Sequence, residues 1–255
     1  MLEGSVTGSP ASPEAVVAVR PPQPRLVALL ETLLVSGVPT QVVVGALLYA
    51  GLGMSPRDGD RLSLGFFATL SLVDTLLVIG LIRLFLRATG ERLSDVLVGG
   101  RPVLREILLG VAFVPAVFLV VAAVVLTLRT VAPWLQTVPD NPLLTFMDTP
   151  GRAAVFLVVV VLAGGVREEI QRAFVLHRFD QRLGGIRVGL VLFTLLFGAL
   201  HVDQGVDVAI AVGTLGLIWG IVYIRRRSAV LGMVNHAGFN AMQVVQGLVV
   251  RSLGL

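Results

Sequence analysis

The chain of 255 residues contains no cysteine and no lysine, and only 14% of its residues are charged. The absence of cysteine excludes disulfide bonds and thiolate metal sites. A soluble domain carries about 25% charged residues. The low charge, the 55% hydrophobic residues and the mean hydropathy of +0.90 therefore indicate an integral membrane protein. All twenty basic residues are arginine, which we interpret as the mark of a GC-rich bacterial genome.

Seven apolar segments are each long enough to cross about 30 Å of hydrocarbon, which takes about 20 helical residues. They lie at 27–53, 62–86, 104–131, 153–177, 187–203, 206–224 and 228–250. The amphipathic stretch 87–102 predicts a further helix at the membrane interface. The expected fold class is therefore an all-α, polytopic transmembrane helix bundle of about seven spans, or eight helices with the interfacial one.

The two ends of the chain divide into a tail and one domain. Residues 1–25 are rich in Pro, Ser, Gly and Ala and lack the apolar run of a signal peptide. This composition predicts a disordered cytoplasmic tail. Residues 26–255 are expected to form a single transmembrane domain.

The arginines are distributed unevenly between the two sides of the predicted bundle. Thirteen fall on the side that holds the N-terminus, five fall on the other side, and two lie inside the fourth span. Positive residues stay on the cytoplasmic side, so we expect a cytoplasmic N-terminus in a bacterial inner or cell membrane. Because the arginines lie at helix ends, the lipid bilayer is an expected partner and nucleic acid is not.

Two adjacent glutamates, Glu168 and Glu169, lie inside the fourth span. A charge at membrane depth costs at least about 2.5–3.5 kcal/mol and usually marks a functional site. A purely structural alternative is an ion pair between Glu168 and Arg172, four residues apart on one helix. Gly164 and Gly165, just before the pair, are expected to permit close helix packing and to loosen the helix.

Polar residues of the fifth and seventh spans are candidate partners of the glutamates. His201 lies late in the fifth span, and His236 and Asn240 lie four residues apart on one face of the seventh. At about 1.5 Å per residue, all three reach a depth similar to that of Glu168. We therefore predict one cavity, open to the cytoplasmic side. Glu31 and Asp74 are further candidates for its wall.

The residues leave two chemistries open. A carboxylate in an apolar cavity can act as general base on water, while histidine and amide N–H groups stabilise an oxyanion. Alternatively, Glu168, His201 and His236 could hold a zinc ion.

Three short motifs follow one another: EE at 168–169, FGALH at 197–201 and HAGFN at 236–240. They resemble the EExxxR, FxxxH and HxxxN motifs of the CPBP family, which comprises the type II, Rce1-like CAAX prenyl endopeptidases and the bacteriocin-processing (Abi) membrane proteases. The resemblance covers about residues 150–245. Position 173 is alanine where the family has arginine, and the nearby Arg172 is expected to face Glu168 rather than Glu169.

The resemblance implies an intramembrane endopeptidase that hydrolyses a peptide bond of a membrane-associated peptide or protein. Glu168 would be the general base, helped by His201. His236 and Asn240 would stabilise the oxyanion, with Glu169 and Arg172 in supporting roles.

Members of this family are described both as metalloproteases and as metal-independent glutamate proteases. We favour the glutamate type, because an oxyanion role suits Asn240 better than metal ligation does. No cofactor is therefore assigned, and zinc is left open.

Two other functions remain open. One is a non-catalytic immunity or scaffold protein of the same family. The other is a small proton-coupled transporter that uses Glu168 and the histidines as a relay, although the chain has no evident internal repeat.

Overall fold

In the computed structural model, residues 23–139 and 141–253 are described. Its helices, in chain order, are α1 (Arg25–Leu34), α2 (Val38–Ala46), α3 (Leu64–Ala88), α4 (Leu93–Leu97), α5 (Val103–Ala112), α6 (Val114–Val131), α7 (Pro150–Val159), α8 (Glu168–Arg182), α9 (Ile186–Ala199), α10 (Val206–Arg226) and α11 (Val230–Ser252). The predicted all-α class is confirmed. The predicted tail falls mainly on residues outside this description and stays a prediction, as does the single domain.

Shorter elements connect or extend these helices. Two π-helical segments are present: Leu47–Gly51 extends α2, and Val160–Arg167 joins α7 to α8. Single 3-10 turns occupy Pro133–Leu135, Pro142–Met147 and Val202–Gln204. A two-stranded antiparallel hairpin, Arg57–Asp58 with Arg61–Leu62, was not predicted. The short helix α4 lies inside the predicted interfacial stretch.

The helices follow the seven predicted segments, but two of the segments are interrupted. Gly37, at φ +89°, separates α1 from α2, and the pair is bent by 49°. The break between α5 and α6 falls at Phe113, next to Pro115 near the start of α6. Pro39 lies near the start of α2 in the same way. Each proline favours the start of a new helix, because it lacks the N–H that the preceding turn would need.

Among the described residues, three helical stretches are long and apolar enough to cross a membrane singly, namely Leu64–Ala88, Val103–Val131 and Val206–Arg226; the bent pair adds a fourth if it forms one span. The predicted number of seven spans therefore stays a prediction. Large apolar side chains cover the outside: Leu76 is 75% exposed, Leu119 69% and Leu126 69%. Such extensive apolar exposure suits contact with lipid tails rather than water.

The interior of the bundle is packed around α8. Ala173, Phe174 and Leu176 of this helix have no exposed surface, and Trp219 of α10 packs in the same cluster. The helix that carries both glutamates is thus the central element, and its neighbours can present side chains to it.

The two ends of the bundle differ in composition. One end holds Arg92, Arg101 and Arg225–Arg227, and we call it the arginine-rich end. There Tyr223 donates a hydrogen bond to the Val96 carbonyl, and the Ala229 amide donates one to the Leu97 carbonyl. The opposite end, the hairpin end, holds the hairpin, the segments 132–139 and 141–149, the turn 200–205 and the last turns of α11. Thr137 there accepts a hydrogen bond from the Val206 amide (3.1 Å).

Candidate active site

The glutamates follow directly on the π-helical segment. Gly164 and Gly165 lie within it, so the prediction of a loosened helix is confirmed. A Cβ atom on Gly165 would lie 2.6 Å from the Cα atom of Ala237, which confirms the close packing against α11. A π segment disturbs the regular pattern of backbone hydrogen bonds. Here the Val160 carbonyl accepts a hydrogen bond from Nδ2 of Asn240 (3.0 Å).

A cavity of about 1210 Å3 borders this segment. Glu168, His201, His236 and Asn240 all lie on its wall, so the four residues selected from the sequence share one cavity. They come from α8, from the turn that follows α9 and from α11. Helices far apart in sequence therefore bring them together.

The cavity extends towards one end of the bundle. Its wall reaches Asn141, Gln204 and Arg251 at the hairpin end and includes no residue of the arginine-rich end. In that direction α8 continues past Glu168 as a core of buried side chains, including Phe174 and Leu176. The opening to the cytoplasmic side stays a prediction.

Glu168 is the glutamate that faces the cavity. Its side chain is 19% exposed, and Oε2 lies 3.9 Å from Nε2 of His236. Oε1 lies 3.8 Å from Nη2 of Arg167. Polar contacts longer than 3.5 Å are spacings at which a water molecule can bridge. The carboxylate can therefore hold a water between itself and its neighbours.

Glu169, by contrast, is 2% exposed and does not line the cavity. Its Oε1 accepts hydrogen bonds from Nη1 of Arg172 and from Nδ1 of His236, the latter at 3.0 Å. The predicted pairing of Arg172 with Glu168 is therefore wrong. Residues three apart share a helix face as well as residues four apart, so either glutamate was within reach of the arginine.

An aromatic box determines which glutamate the arginine meets. The guanidinium of Arg172 lies over the rings of Phe197 (4.8 Å), Phe193 (5.3 Å) and Trp219 (5.5 Å). Cations are attracted to aromatic faces, and these rings belong to α9 and α10. The arginine is thus held on the packed side of α8, where Glu169 also lies.

The two histidines have similar hydrogen-bonding arrangements. His236 directs Nδ1 to Glu169, and His201 directs Nδ1 to the Phe197 carbonyl at 2.7 Å. Because both partners are acceptors, each Nδ1 carries a proton and each Nε2 is free for chemistry. Both rings also pack near the Phe197 ring, at 5.0 Å for His201 and 6.2 Å for His236.

A second polar cluster lies beside Glu168 and consists of Arg167, Gln171, Asp74 and Gln41. Arg167 was not among the site residues predicted from the sequence. Arg167 Nη1 donates to Gln171 Oε1 (3.0 Å) and lies 3.6 Å from Asp74. Gln41 Nε2 donates to the same Asp74 carboxylate at 3.4 Å. The one feature of the sequence that could have indicated a role for Arg167 is its position directly before the glutamate pair.

The two acidic residues suggested for the cavity wall have different roles. Asp74 has no exposed surface and reaches the cavity through Arg167 and Gln41, which both lie on the wall. Glu31 instead accepts a hydrogen bond from Arg178 (2.8 Å) near the arginine-rich end.

Zinc was left open as an alternative, with Glu168, His201 and His236 as its ligands, and it stays open. Within residues 23–139 and 141–253, no three His, Asp or Glu side chains are arranged so that they could hold a metal ion. Zinc needs at least three protein ligands that converge on one point, so the mechanism below uses the side chains alone.

Residues 150–242, a little over a third of the chain, match the family described as Type II CAAX prenyl endopeptidase Rce1-like. The matched segment contains all three motifs, so the resemblance proposed from the sequence is confirmed. No curated protein and no solved structure matches the chain. The apolar helices and this match indicate an integral membrane protein, of which residues 150–242 are similar to a family of prenyl endopeptidases.

Proposed function

We propose that this protein is an intramembrane endopeptidase that hydrolyses a peptide bond of a membrane-associated peptide or protein, using water activated by Glu168. The observation that carries the proposal is the shared cavity wall formed by Glu168, His201, His236 and Asn240. The protease family matched by residues 150–242 supports the same reaction class.

Glu168 is the base in this proposal because it is the glutamate that faces the cavity. Its carboxylate takes a proton from a bound water as the oxygen attacks the scissile carbonyl carbon, and the proton then passes to the leaving amine. General-base catalysis of this kind contributes roughly 10²–10⁴-fold in rate. His201 assists by accepting a hydrogen bond from the same water through Nε2.

His236 and Asn240 supply the donors for the oxyanion. The proposed donor of His236 is Nε2–H, which lies 3.9 Å from the base. On the other side of the ring, Nδ1 donates to the Glu169 carboxylate at 3.0 Å. Asn240 uses one amide hydrogen for the Val160 carbonyl and retains a second for the oxyanion. Removing one such donor typically costs about 10²–10³-fold in kcat.

The test uses the full chain in liposomes with fluorogenic peptides that end in a CAAX sequence, farnesylated or unmodified. We expect cleavage by the wild type and a loss of at least about 100-fold in kcat in Glu168→Gln. The matched control is Asp203→Asn, which removes a carboxylate from the exposed part of the same wall. It should retain kcat within about twofold. Unchanged kcat in Glu168→Gln would remove this residue as the base.

A chelator separates the glutamate type from the metal type. We expect the wild-type rate to be unchanged by a zinc chelator. A loss of activity that zinc alone restores would overturn the metal-independent mechanism. If the folded wild type cleaves none of the peptides, the non-catalytic alternative is favoured instead.

A further inference from the structure

We infer that Arg167 is a positioning residue for Glu168, and that the helices preceding the family-matched segment complete the active site by holding this arginine. The inference rests on the proposed function, in which Glu168 is the base. It assigns a role to α2 and α3, which carry no motif of the protease family.

Arg167 is one of two residues whose charged groups approach the Glu168 carboxylate within 4.0 Å among the described contacts. Its Nη2 lies 3.8 Å from Oε1, and Nε2 of His236 lies 3.9 Å from Oε2. Arg172 is engaged by Glu169 on the other side of the helix. The cation that compensates Glu168 is therefore the residue directly before it.

Two side chains contact the guanidinium, and a third supports one of them. Gln171 accepts a hydrogen bond from Nη1 at 3.0 Å, and the Asp74 carboxylate lies 3.6 Å from the same nitrogen. Gln41 in turn donates to Asp74 at 3.4 Å. The arginine is thus held directly from α8 and α3, and indirectly from α2.

The bend between α1 and α2 leaves room for this arrangement. Gly37 has a φ of +89°, and a Cβ atom there would lie 3.1 Å from Nη1 of Arg167. A side chain at this position would crowd the guanidinium and would also strain the backbone. The break in the first helix thus coincides with the point where it contacts the cluster.

Arg167 acts on Glu168 rather than on an anionic group of the substrate. Its side chain is 7% exposed and lies between two carboxylates, those of Asp74 and Glu168. With a carboxylate on either side, the guanidinium leaves little exposed surface for an anionic group of the substrate. The guanidinium instead lies 3.8 Å from the partly exposed Glu168 carboxylate, and this charge attraction holds the carboxylate in place.

The experiment measures how readily Glu168 reacts with dicyclohexylcarbodiimide, which modifies protonated carboxyl groups at membrane depth. The full chain in detergent is labelled at pH 7.5, and the modified residue is quantified by mass spectrometry. Glu168→Gln gives the background from Glu169. Because Arg167→Gln removes the compensating charge, we expect Glu168 to be labelled at least about fivefold faster.

Two variants serve as controls. Arg167→Lys keeps the charge and should label within about twofold of the wild type. Arg152→Gln removes an arginine of α7 whose Nε lies 2.7 Å from Oδ1 of Asp148 near the hairpin end. In this variant Glu168 should be labelled at the wild-type rate.

Steady-state kinetics add a second readout. We expect Arg167→Gln to lower kcat about tenfold with KM within about twofold, because positioning affects the transition state more than substrate binding. A raised KM with unchanged kcat would overturn the inference, since it would mean that the arginine binds substrate. Labelling of Arg167→Gln at the wild-type rate would overturn it as well.

The labelling result is independent of the substrate, so it distinguishes failure of this inference from failure of the proposed function. If no peptide is cleaved but Arg167→Gln accelerates labelling, the positioning role stands and the proposed reaction does not. Should Arg167→Gln fail to fold because Asp74 is left unpaired, the double variant Asp74→Asn with Arg167→Gln removes both charges. It should show the same acceleration, and wild-type labelling in the double variant would contradict the inference.

Discussion

The indole of Trp219 lies face to face with the imidazole of His236, with ring centroids 3.8 Å apart and planes inclined by 19°. The indole N–H donates to Oδ1 of Asn235 (2.8 Å), and Nδ2 of Asn235 donates to the Gly110 carbonyl (3.0 Å). Asn235 directly precedes His236 in α11. The plane of the imidazole is thus fixed by a stacked ring, while Glu169 fixes its proton.

Replacing Trp219 with leucine should therefore affect the reaction more than the fold of the bundle. We expect kcat to fall about tenfold, because a misoriented His236 holds the oxyanion poorly, and KM to change less. The measurement is cleavage of the CAAX peptides in liposomes. Tyr223→Phe is the control, since it changes a ring one turn further along α10 that donates to the Val96 carbonyl. Equal loss in both variants would contradict a specific role for the stacking.

The two glutamates should separate stability from activity. Glu169→Gln leaves Arg172 buried without its carboxylate partner, a change that typically costs about 3–5 kcal/mol. Glu168→Gln removes a partly exposed carboxylate with longer contacts, and should lower the thermal midpoint far less while abolishing cleavage. Thermal unfolding in detergent, followed by tryptophan fluorescence, compares them. A larger drop in Glu168→Gln than in Glu169→Gln would contradict the assigned roles.

This division of roles shows what the sequence could establish. The long apolar segments correctly predicted an all-α fold, and the spacing of the polar residues along them correctly predicted four residues that share one cavity. Spacing along one helix could not determine whether Arg172 meets Glu168 or Glu169. That outcome depends on Phe197 and Trp219, which come from other helices.

The glycine pair provides a test of the packing between the π-helical segment and α11. In Gly165→Ala the new methyl group would lie 2.6 Å from Ala237, so the helices must move apart. Such overpacking costs about 1–3 kcal/mol and would also displace Asn240. We expect a lower thermal midpoint and a lower kcat.

Gly80 of α3 is the matched control, because a Cβ atom there would meet nothing within 4 Å. Gly80→Ala should be neutral, or stabilising by up to about 1 kcal/mol. If Gly165→Ala is as stable and as active as Gly80→Ala, the close approach is not needed for the site.

The direction of the cavity and the role of Arg167 lay beyond the sequence for a related reason. Counting arginines assigns charges to the two ends of a bundle, but an empty space depends on how side chains fill the interior. The core of α8 closes one side, and Asp74 reaches Arg167 from a helix about ninety residues earlier. Only tertiary packing determines either feature.

Glu91, in the loop between α3 and α4 at the arginine-rich end, gives the protein a stability that depends on pH. Burial raises the pKa of its carboxyl, but hydrogen bonds from His177, Thr89, Arg178 and Gln181 outweigh this and hold the pKa well below the ordinary value of 4.5. The folded protein therefore keeps this group ionised at pH values where the unfolded chain binds a proton.

The sign of the effect follows from this difference in proton binding. A lowered pKa in the folded state contributes stability that is fully present above the ordinary value and is lost as the pH falls below it. The thermal unfolding midpoint of Glu91→Gln should thus be lower than that of the wild type at about pH 6. The difference between the two midpoints should narrow from about pH 4.5 downward. Asp58→Asn is the control, because it removes an exposed carboxylate in the hairpin. Its thermal midpoint should match that of the wild type at every pH. A gap that widens on acidification would contradict this assignment, because it would require the folded protein to bind the proton more tightly than the unfolded chain.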